Sequence, residues 1–492
     1  MASLDELVTG LRYELLRGST TCSLSGITSD SRKVRHGWAF VAIPGSKVDG
    51  HTFIAQALAQ GAAALVVERA LDLTAAKSAT CLRVPDTRQA LAHLAAAFYG
   101  HPSRQLRLIG VTGTNGKTTC AMLLDAVFAA AGRRTGLIGT VATRIDGHEV
   151  AGVRTTPEAT DLQRLFRRML TAGVDSVAME VSSHGLALGR VNGTRFAAAL
   201  FTNLTHDHLD FHGSMEAYFD AKALLFTPEF SRVGVINIDD PWGARLAKQA
   251  TVPVITVSPA GRADADVAAV RSTSDAAGSH VAVRLRSTTY DVDVDMLGAF
   301  NVANALLVLA AADVLGLDPA TVASTLRHPP AVPGRMERVD EGQSYTVLVD
   351  YAHSPDALAR VLAATRELVT GRVIVVIGCG GDRDREKRPA MGAAAVAGAD
   401  HAIFTNDNPR SEDPDVILAA VVAGARSATG GDWTIEPDRH AAIAAALAAA
   451  QPGDAVVIAG KGHETGQQLA DRTVPFDDRE VARALLRGRA SE

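Results

Sequence analysis

The sequence predicts an α/β protein of three domains. The length of 492 residues favours about three domains. Two long stretches alternate apolar, strand-like runs with amphipathic helices, which is typical of parallel sheets covered on both faces. A smaller stretch of mixed strands and helices precedes them. We place the three domains at residues 1–104, 105–330 and 331–492.

The first domain and the start of the second follow from local patterns. The run AFVAIPG predicts a strand, and the alanine-rich segment Asp86–Tyr99 predicts a helix before a His-Pro-Ser linker. From Leu106 onward the order is strand (LRLIGVTG), glycine-rich turn, helix (KTTCAMLLDAVFAAAG) and strand (TGLIGTVAT). We then predict a helix at Asp161–Thr171 and the strands VDSVAMEV and FAAALFTN.

The rest of the chain repeats this rhythm with one exception. Residues 280–296 alternate with period two, which predicts a half-exposed antiparallel hairpin on the central domain. The segment HPPAVPGR, residues 328–335, breaks the pattern. Beyond it, further strands predict a second open α/β sheet: YTVLVDY, RVIVVIGCGG, DHAIFTN and DAVVIAGKG.

Composition excludes several classes of protein. The chain is 47% hydrophobic and 21% charged, with a formal net charge of −5. No Lys/Arg run reaches five residues, so nothing indicates nucleic-acid binding. The first residues lack the apolar core of a signal peptide, and no uncharged apolar stretch could span a bilayer. Four scattered cysteines without CxxC spacing favour a reducing compartment over a zinc site. We therefore expect a cytoplasmic protein, and we expect it to be a monomer.

The strongest chemical motif is GVTGTNGKTT, residues 110–119. It follows a strand and opens a helix, which is the setting of a phosphate-binding loop. Backbone N–H groups face the phosphates, the lysine supplies charge, and a threonine hydroxyl can reach Mg²⁺. Val111 departs from the general pattern, which has glycine there. The predicted nucleotide-binding residues are Gly113, Thr114, Asn115, Gly116, Lys117, Thr118 and Thr119.

Polar clusters follow the next strands, where open α/β sheets place their ligands. Glu180 ends a strand and offers hard oxygen ligands to Mg²⁺. The segment NLTHDHLDFHG contains His206 and His208, but no third soft ligand has the spacing that zinc requires. Magnesium and phosphate fit this segment better, and a capped turn stays open as an alternative. Lys222 lies on an apolar helix face, where a lone lysine usually snorkels to solvent.

Six motifs in this order resemble the Mur ligase family, the ATP-dependent enzymes that add amino acids during peptidoglycan synthesis. They are GTNGKTT, NLTHDHLDFHG, the lysine of AYFDAK, GAFNVANALL, PGRMERV and LVDYAHSPDAL. The resemblance covers essentially the whole chain and includes the three-domain layout. In the third domain, GCGGDRDREKRP, TNDNPR and AGKGHE resemble the branch of the family that adds the third residue of the stem peptide.

The resemblance implies a mechanism. ATP phosphorylates the D-Glu γ-carboxylate of UDP-MurNAc-L-Ala-D-Glu, and the amine of the incoming amino acid attacks this acyl phosphate. Such an enzyme mainly positions groups and neutralises phosphate charge. The implied catalytic residues are Lys117, Glu180, His208, Lys222 and Arg335.

The resemblance also implies a metal and a nucleotide site. Thr118, Glu180 and His208 would hold Mg²⁺ together with Lys222, which the family carries as a carbamate. Across the cleft between the central and third domains, the implied ATP contacts are Asn301, Arg335, Asp350 and His353.

For the UDP-substrate, the resemblance places Ser29 and Ser31 at the uracil end. The muramoyl dipeptide would contact Thr155, Thr156, Ser182 and Arg190. Leu188 stands where some relatives carry a polar glutamine, so we do not expect a polar contact to the UDP-substrate from this position.

The implied amino-acid pocket consists of Arg383, Asp407, Asn408, Pro409, Arg410, Gly460 and Glu464. By composition alone, Asp-Asn-Pro-Arg is also an ordinary strand-ending turn, stiffened by its proline. Meso-diaminopimelate carries a distal carboxylate, which Arg410 would bind bidentately, while Glu464 takes the distal ammonium. Lysine has no distal carboxylate. The alternatives are a lysine-adding relative, a folylpolyglutamate synthase-like ligase and a non-catalytic nucleotide-binding module.

Overall fold

The computed structural model describes residues 1–45, 48–69, 79–152, 154–274 and 278–490. Within these ranges the chain forms three large sheets, each flanked by helices. The predicted α/β fold class is confirmed. None of the described helices combines the length and the apolar character that crossing a membrane requires.

The first sheet belongs to the N-terminal stretch. Its strand order is β2-β7-β6-β5-β4, in which β4 to β7 run parallel and β2 pairs antiparallel to β7. The predicted helix is confirmed as α3, and the Asp86 carboxylate caps it by accepting the N–H groups of Arg88 and Gln89. The elements are β1 (Ala2–Ser3), α1 (Leu4–Leu7), β2 (Glu14–Arg17), β3 (Ser23–Leu24), β4 (Gly26–Thr28), β5 (Trp38–Val41), α2 (Ile54–Ala59), β6 (Ala64–Val67), β7 (Thr80–Arg83) and α3 (Thr87–Phe98).

The central sheet has the strand order β11-β10-β9-β12-β8-β13-β14-β15-β16-β17-β18. Its strands are β8 (Arg107–Thr112), β9 (Thr135–Ile138), β10 (Thr143–Ile145), β11 (His148–Glu149), β12 (Ser176–Glu180), β13 (Ala198–Phe201), β14 (Gly234–Asn237), β15 (Val254–Ser258), β16 (Val267–Ser274), β17 (Ser279–Leu285) and β18 (Thr288–Val294). From β9 across to β16 neighbouring strands run parallel, and both edges of the sheet are antiparallel. The hairpin predicted from residues 280–296 is confirmed as β17 and β18.

Helices cover both faces of this sheet. They are α4 (Lys117–Ala130), α5 (Ala159–Thr171), α6 (Ser183–Ala187), α7 (Leu209–His212), α8 (Met215–Ala223), α9 (Pro241–Gln249), α10 (Ala299–Val314) and α11 (Pro319–Arg327). The apolar helix α10 packs against α4 and the sheet, and its residues from Ala305 to Ala312 are buried. This packing fixes the start of α10 next to the loop that precedes α4.

The third sheet has the order β19-β20-β24-β21-β22-β23, with β20 to β23 running parallel. Because parallel strands end at the same edge, the loops after β20, β21, β22 and β24 lie side by side. The strands are β19 (Glu337–Arg338), β20 (Thr346–Asp350), β21 (Val373–Ile377), β22 (His401–Phe404), β23 (Asp432–Ile435), β24 (Ala455–Ala459), β25 (Gly466–Gln468) and β26 (Thr473–Pro475). The helices are α12 (Pro355–Leu368), α13 (Lys387–Gly398), α14 (Pro414–Ser427), α15 (Arg439–Ala449) and α16 (Asp478–Ala490).

Candidate active site

The phosphate-binding loop connects β8 to α4, as the motif predicts. Gly113 and Gly116 have φ angles of 145° and 86°, which side-chain-bearing residues rarely adopt. A Cβ atom on Gly113 would lie 1.8 Å from Thr202 Oγ1, and one on Gly116 would lie 2.5 Å from Asn304 Oδ1. Both glycines are therefore required by conformation and by space, and the N–H groups of Thr114 and Asn115 between them donate to Asn203.

Two lysines converge on this loop. Lys117 Nζ donates to the carbonyls of Gly113 at 2.9 Å and Thr114 at 2.8 Å. Lys222 Nζ, on α8, donates to the same Gly113 carbonyl at 2.8 Å. Lys222 is 1% exposed, so it does not snorkel to solvent as the usual pattern would have it. Burial and the charge of Lys117 hold the pKa of Lys222 well below its ordinary value, which favours a neutral amine.

Glu180 lies at the end of β12, buried, next to the loop after β9. Its carboxylate accepts the N–H of Thr140 at 2.8 Å and the hydroxyl of the same residue at 3.0 Å. The hydroxyls of Thr140 and Thr155 lie 2.9 Å apart. Glu180 is thus held in place by protein donors, and its carboxylate retains further lone pairs for a cation.

The segment after β13 forms a polar cluster around His208. Burial lowers the pKa of His208 to about 3, so its imidazole is neutral. His208 has a φ of 56° and its N–H donates to the carboxylate of Asp207. Asp207 in turn lies 3.7 Å from His353 Nε2 and 4.0 Å from Lys387 Nζ, both of the third domain. This aspartate therefore joins the central domain to the third domain.

A cleft of about 110 Å³ lies between these two domains. Arg335 extends into it, donates to the hydroxyl of Thr118 at 3.3 Å, and stacks 4.5 Å from the ring centre of Tyr351. The Arg335 Nε atom is buried without a hydrogen-bond partner among the described residues. The predicted nucleotide contacts that line this cleft are Asn115, Gly116, Thr118, Thr119, Asn301, Arg335 and Asp350.

Asp350 supports the far wall of the cleft. Its carboxylate accepts the N–H groups of Met336 and Ala352, both at 2.7 Å, and burial raises its pKa. The bond from Met336 therefore attaches the segment that contains Arg335 to Asp350, the last residue of β20. On the near wall, Asn301 Oδ1 accepts a bond from Asn304 Nδ2 at 3.0 Å.

The residues predicted for the UDP-substrate lie in two groups. In the N-terminal domain, Ser29 is half-buried directly after β4, and the buried Ser31 donates to Gln56 Oε1 at 2.9 Å. In the central domain, Thr156 donates to the Glu180 carbonyl at 3.0 Å and accepts the N–H of Ser182, also at 3.0 Å.

Arg190 belongs to the second of these groups. It contacts the carbonyl of Thr156 at 3.3 Å and pairs with Glu158 at 3.0 Å. Leu188 directly follows α6, two positions before Arg190. Residues from three separate loops thus meet at the carboxyl end of β12, next to Glu180.

In the third domain, the Asp-Asn-Pro-Arg turn is clamped between two other loops. Arg410 has a φ of 53°, and its guanidinium donates to the Gly381 carbonyl at 2.6 Å and to Gln468 Oε1 at 2.9 Å. Burial lowers the pKa of Arg410, and the positive charge of nearby Arg383 lowers it further. Two neighbouring guanidinium groups concentrate positive charge at this edge of the loop, which suits an anionic group.

The acceptors of this pocket lie beside the two arginines. Asn408 Nδ2 donates to Glu464 Oε2 at 2.7 Å. Asp407 is buried, and burial raises its pKa. Gly460 has a φ of 108°, and a Cβ atom there would lie 2.9 Å from Asp407 Oδ2. The predicted pocket residues are therefore neighbours, although they come from loops after three different strands.

Models of known families match most of the chain. The Mur ligase family catalytic domain matches residues 23–99, the middle domain matches 111–312, and the glutamate ligase domain matches 334–462. A Streptomyces coelicolor protein named UDP-N-acetylmuramoyl-L-alanyl-D-glutamate–2,6-diaminopimelate ligase is 48% identical over 478 residues, which cover 95% of this chain and 93% of the relative. The chain belongs to the Mur ligase family. A Geobacillus thermodenitrificans protein of the same name is 47% identical, with 94% of each chain covered.

Solved structures agree with membership of the Mur ligase family. A structure of a UDP-N-acetylmuramoyl-L-alanyl-D-glutamate–2,6-diaminopimelate ligase is 33% identical, covers 99% of both chains and superposes with a TM-score of 0.70. A Mycobacterium tuberculosis folylpolyglutamate synthase in complex with ADP and AMPPCP superposes with a TM-score of 0.62 at 21% identity, over 76% of this chain and 92% of that one. This second likeness shows the shared fold alone.

Sequence reasoning on this Mur ligase missed four residues of the site. Asp207, Asn304, Lys461 and Gln468 all contact predicted site residues in the structure. Asp207, Asn304 and Lys461 stand inside quoted motifs, so a polar residue within a motif was an available signal. Nothing in the local sequence distinguishes Gln468.

Proposed function

We propose that this Mur ligase uses ATP to join meso-2,6-diaminopimelate to the D-Glu carboxylate of UDP-MurNAc-L-Ala-D-Glu through an acyl phosphate. The observation that carries the proposal is the near full-length identity of 48% to a relative named for this reaction. The folylpolyglutamate synthase alternative is supported by fold alone. The two arginines beside Glu464 favour diaminopimelate over lysine, because lysine offers no second carboxylate.

The three domains divide the substrates between them in this proposal. Residues 1–104 bind the uridine end through Ser29 and Ser31, residues 105–330 bind ATP, and residues 331–492 bind the amino acid. The muramoyl dipeptide contacts Thr155, Thr156, Ser182 and Arg190, which places its D-Glu end near Glu180 and the phosphate-binding loop. This adjacency brings the acceptor carboxylate to the γ-phosphate, so positioning supplies much of the rate enhancement.

The ATP site in this proposal centres on the cleft between the central and third domains. The start of α4, with Gly116, Lys117, Thr118 and Thr119, receives the phosphates. The buried Nε of Arg335 has no partner within the part of the chain that the structure describes, and an oxygen of the nucleotide would satisfy it. Asn301, Asp350 and His353 complete the nucleotide contacts from both sides of the cleft. Arg335 then stabilises the negative charge that develops during phosphoryl transfer.

The donor set beside the phosphate-binding loop fits Mg²⁺. Thr118 offers a hydroxyl, Glu180 a carboxylate, and His208 a neutral imidazole, because its pKa lies near 3. A magnesium ion held there would neutralise phosphate charge during transfer. The same residues would orient the acceptor carboxylate toward the phosphate.

Lys222 fits a carbamate. A carbamate forms only from an unprotonated amine, and burial favours this neutral form of Lys222. The group would replace an unfavourable buried cation with a carboxylate-like ligand for the metal. The ring centre of Tyr218 lies 6.1 Å from that of His208 and 4.5 Å from Lys222 Nζ. Both side chains are therefore close to the same aromatic ring.

The amino-acid pocket then selects the nucleophile. Arg410 and Arg383 receive the distal carboxylate, and Glu464 receives the distal ammonium. Asp407, Asn408, Pro409 and Gly460 shape the loop around that head. The opposite amino group is thereby directed toward the central domain, where it attacks the acyl phosphate.

The experiment measures ADP release with diaminopimelate or lysine at saturating ATP and UDP-substrate. We expect wild type to use diaminopimelate, and we expect Arg410→Ala to lose about 2–5 kcal/mol, because it leaves a carboxylate unpaired. This corresponds to roughly 30- to 4000-fold in kcat/KM. Arg410→Lys restores only part, because a point charge cannot reproduce the guanidinium fork.

The matched control is Arg472→Ala, which removes an exposed arginine that pairs with Asp471. Arg472 lies in the turn between β25 and β26, and β25 carries the Gln468 that Arg410 contacts. It should leave the kinetics with diaminopimelate unchanged. Equal use of lysine by wild type, or intact kinetics in Arg410→Ala, would refute the proposed selectivity.

A further inference from the structure

A fully buried ammonium lies behind the amino-acid pocket. Lys461 follows β24 and Gly460, and its side chain is 0% exposed. Its Nζ donates to the Gly466 carbonyl at 2.7 Å, to Glu464 Oε2 at 3.1 Å and to Asn408 Oδ1 at 3.3 Å. An ammonium has three donors, and here each has an acceptor. The charge is therefore compensated in place and is not available to substrate.

These bonds determine how Glu464 is presented. Its Oε2 atom accepts from both Lys461 and Asn408, whereas Oε1 accepts no hydrogen bond from any described residue. The side chain is about one-third exposed, so the unused oxygen borders the pocket. A carboxylate with one oxygen fixed and one free is suited to receive an ammonium group.

The same ammonium is connected to the anion receptor on the other side of the pocket. Asn408 Oδ1, which accepts from Lys461, also accepts the backbone N–H of Gln468 at 2.8 Å. Gln468 in turn accepts from Arg410 Nε at 2.9 Å. Hydrogen bonds through Asn408 and Gln468 therefore connect the bound oxygen of Glu464, Oε2, to the guanidinium of Arg410 and fix the distance between the two side chains.

We propose that Lys461 is a positioning residue. It holds Glu464, both directly and through Asn408, in the orientation that receives the ammonium of the incoming amino acid. This proposal rests on the proposed function. Without Lys461, Glu464 Oε2 and Asn408 Oδ1 each lose a donor, so the Glu464 side chain is no longer held in one orientation. Lys461 itself touches no substrate.

The test is steady-state kinetics of Lys461→Met, which keeps the length of the side chain and removes the donors. We expect the KM for diaminopimelate to rise by about 10- to 150-fold, as for the loss of a hydrogen bond to a charged group. The KM values for ATP and the UDP-substrate should change less than about threefold, because their predicted contacts lie elsewhere. Lys461→Gln, which retains an N–H donor, should show a smaller rise.

A double-mutant cycle separates positioning from general destabilisation. If Lys461 acts through Glu464, Lys461→Met should add little to the KM of Glu464→Gln. The control is Arg372→Met, which removes a charge paired with Asp454 at the opposite end of β21. Thermal unfolding of the variants shows how much stability each change removes.

The outcomes are distinct. Additive effects of Lys461→Met and Glu464→Gln, or equal KM changes in Lys461→Met and Arg372→Met, would overturn the positioning role. If Lys461→Met does not fold, the same comparisons apply to Lys461→Gln, which should still raise the KM for diaminopimelate selectively. Failure of wild type to ligate diaminopimelate would instead overturn the proposed function.

Discussion

Gly334→Ala should disturb the nucleotide and amino-acid sites together. Gly334 precedes Arg335 and has a φ of 64°. A Cβ atom there would lie 2.1 Å from the backbone N of His463 and 2.2 Å from the carbonyl carbon of Gly462. The segment that carries Arg335 is therefore packed, backbone against backbone, on the loop that carries Lys461 and Glu464.

The cost of this substitution has two parts. Placing alanine in the left-handed region costs about 1–2 kcal/mol. Forcing two backbones apart adds about 1–3 kcal/mol, as for overpacking a core. The total destabilisation is then about 2–5 kcal/mol, and the functional loss comes from the second part, because only the clash displaces the neighbouring loop.

Gly342→Ala is the matched control. Gly342 lies in the same domain with a φ of 87°, but an added Cβ would have nothing within 4 Å. It should carry the conformational cost alone and leave both KM values unchanged. Gly334→Ala should lower the free energy of unfolding by about 1–3 kcal/mol more than the control, and should raise the KM values for ATP and diaminopimelate together.

The assay combines thermal unfolding with steady-state kinetics on both variants. For a domain of this size, about 1 kcal/mol corresponds to roughly 2–4 °C in the unfolding midpoint. Equal midpoints and equal KM values for the two variants would refute the reasoning, since the clash would then be relieved without moving either loop. A rise in only one KM would show that the two sites are not mechanically joined.

Two further predictions concern Lys222 and domain closure. If the carbamate proposed at Lys222 holds the metal, Lys222→Ala should reduce ligation by more than about 100-fold, and added formate or acetate should restore part of the activity. Mass analysis of the wild type at neutral pH should find a carboxyl group on Lys222, and full activity with an unmodified amine would contradict the prediction. Small-angle scattering should show compaction when nucleotide and UDP-substrate are added, because Arg335 and His353 approach the central domain from the third domain. Asp207→Asn should reduce this compaction, and an unchanged scattering profile in wild type would count against closure.

Much of the fold followed from local patterns. The period-two alternation at residues 280–296 predicted β17 and β18, and the strand, glycine-rich turn and helix around Lys117 were also predicted correctly. Such features depend on neighbours within a few positions, so a single sequence contains them. The helix predicted to begin at Asp161 begins at Ala159, because an N-terminus without a side-chain cap leaves no strong local signal.

Other features depended on residues far apart in the chain. The usual tendency of a lone lysine to snorkel gave no reason to expect Lys222 to be buried, because the Gly113 carbonyl that it contacts lies on another element. The bridge from Asp207 to His353 and Lys387 likewise requires two domains to meet. No periodicity encodes these partners.

Local patterns in the chain were enough to predict the α/β class, the phosphate-binding loop, the order of the motifs and the charged residues near them. The tertiary structure decided which of these residues share a site, because strand order places the ends of β20, β24, β21 and β22 side by side although they are separated in the chain. Only the structure shows that Lys461 is buried against Glu464, and that one oxygen of Glu464 has no hydrogen-bond donor among the described residues. The physical reason is that hydrogen-bond partners are selected by distance and burial in three dimensions, and neither is a property of sequence spacing.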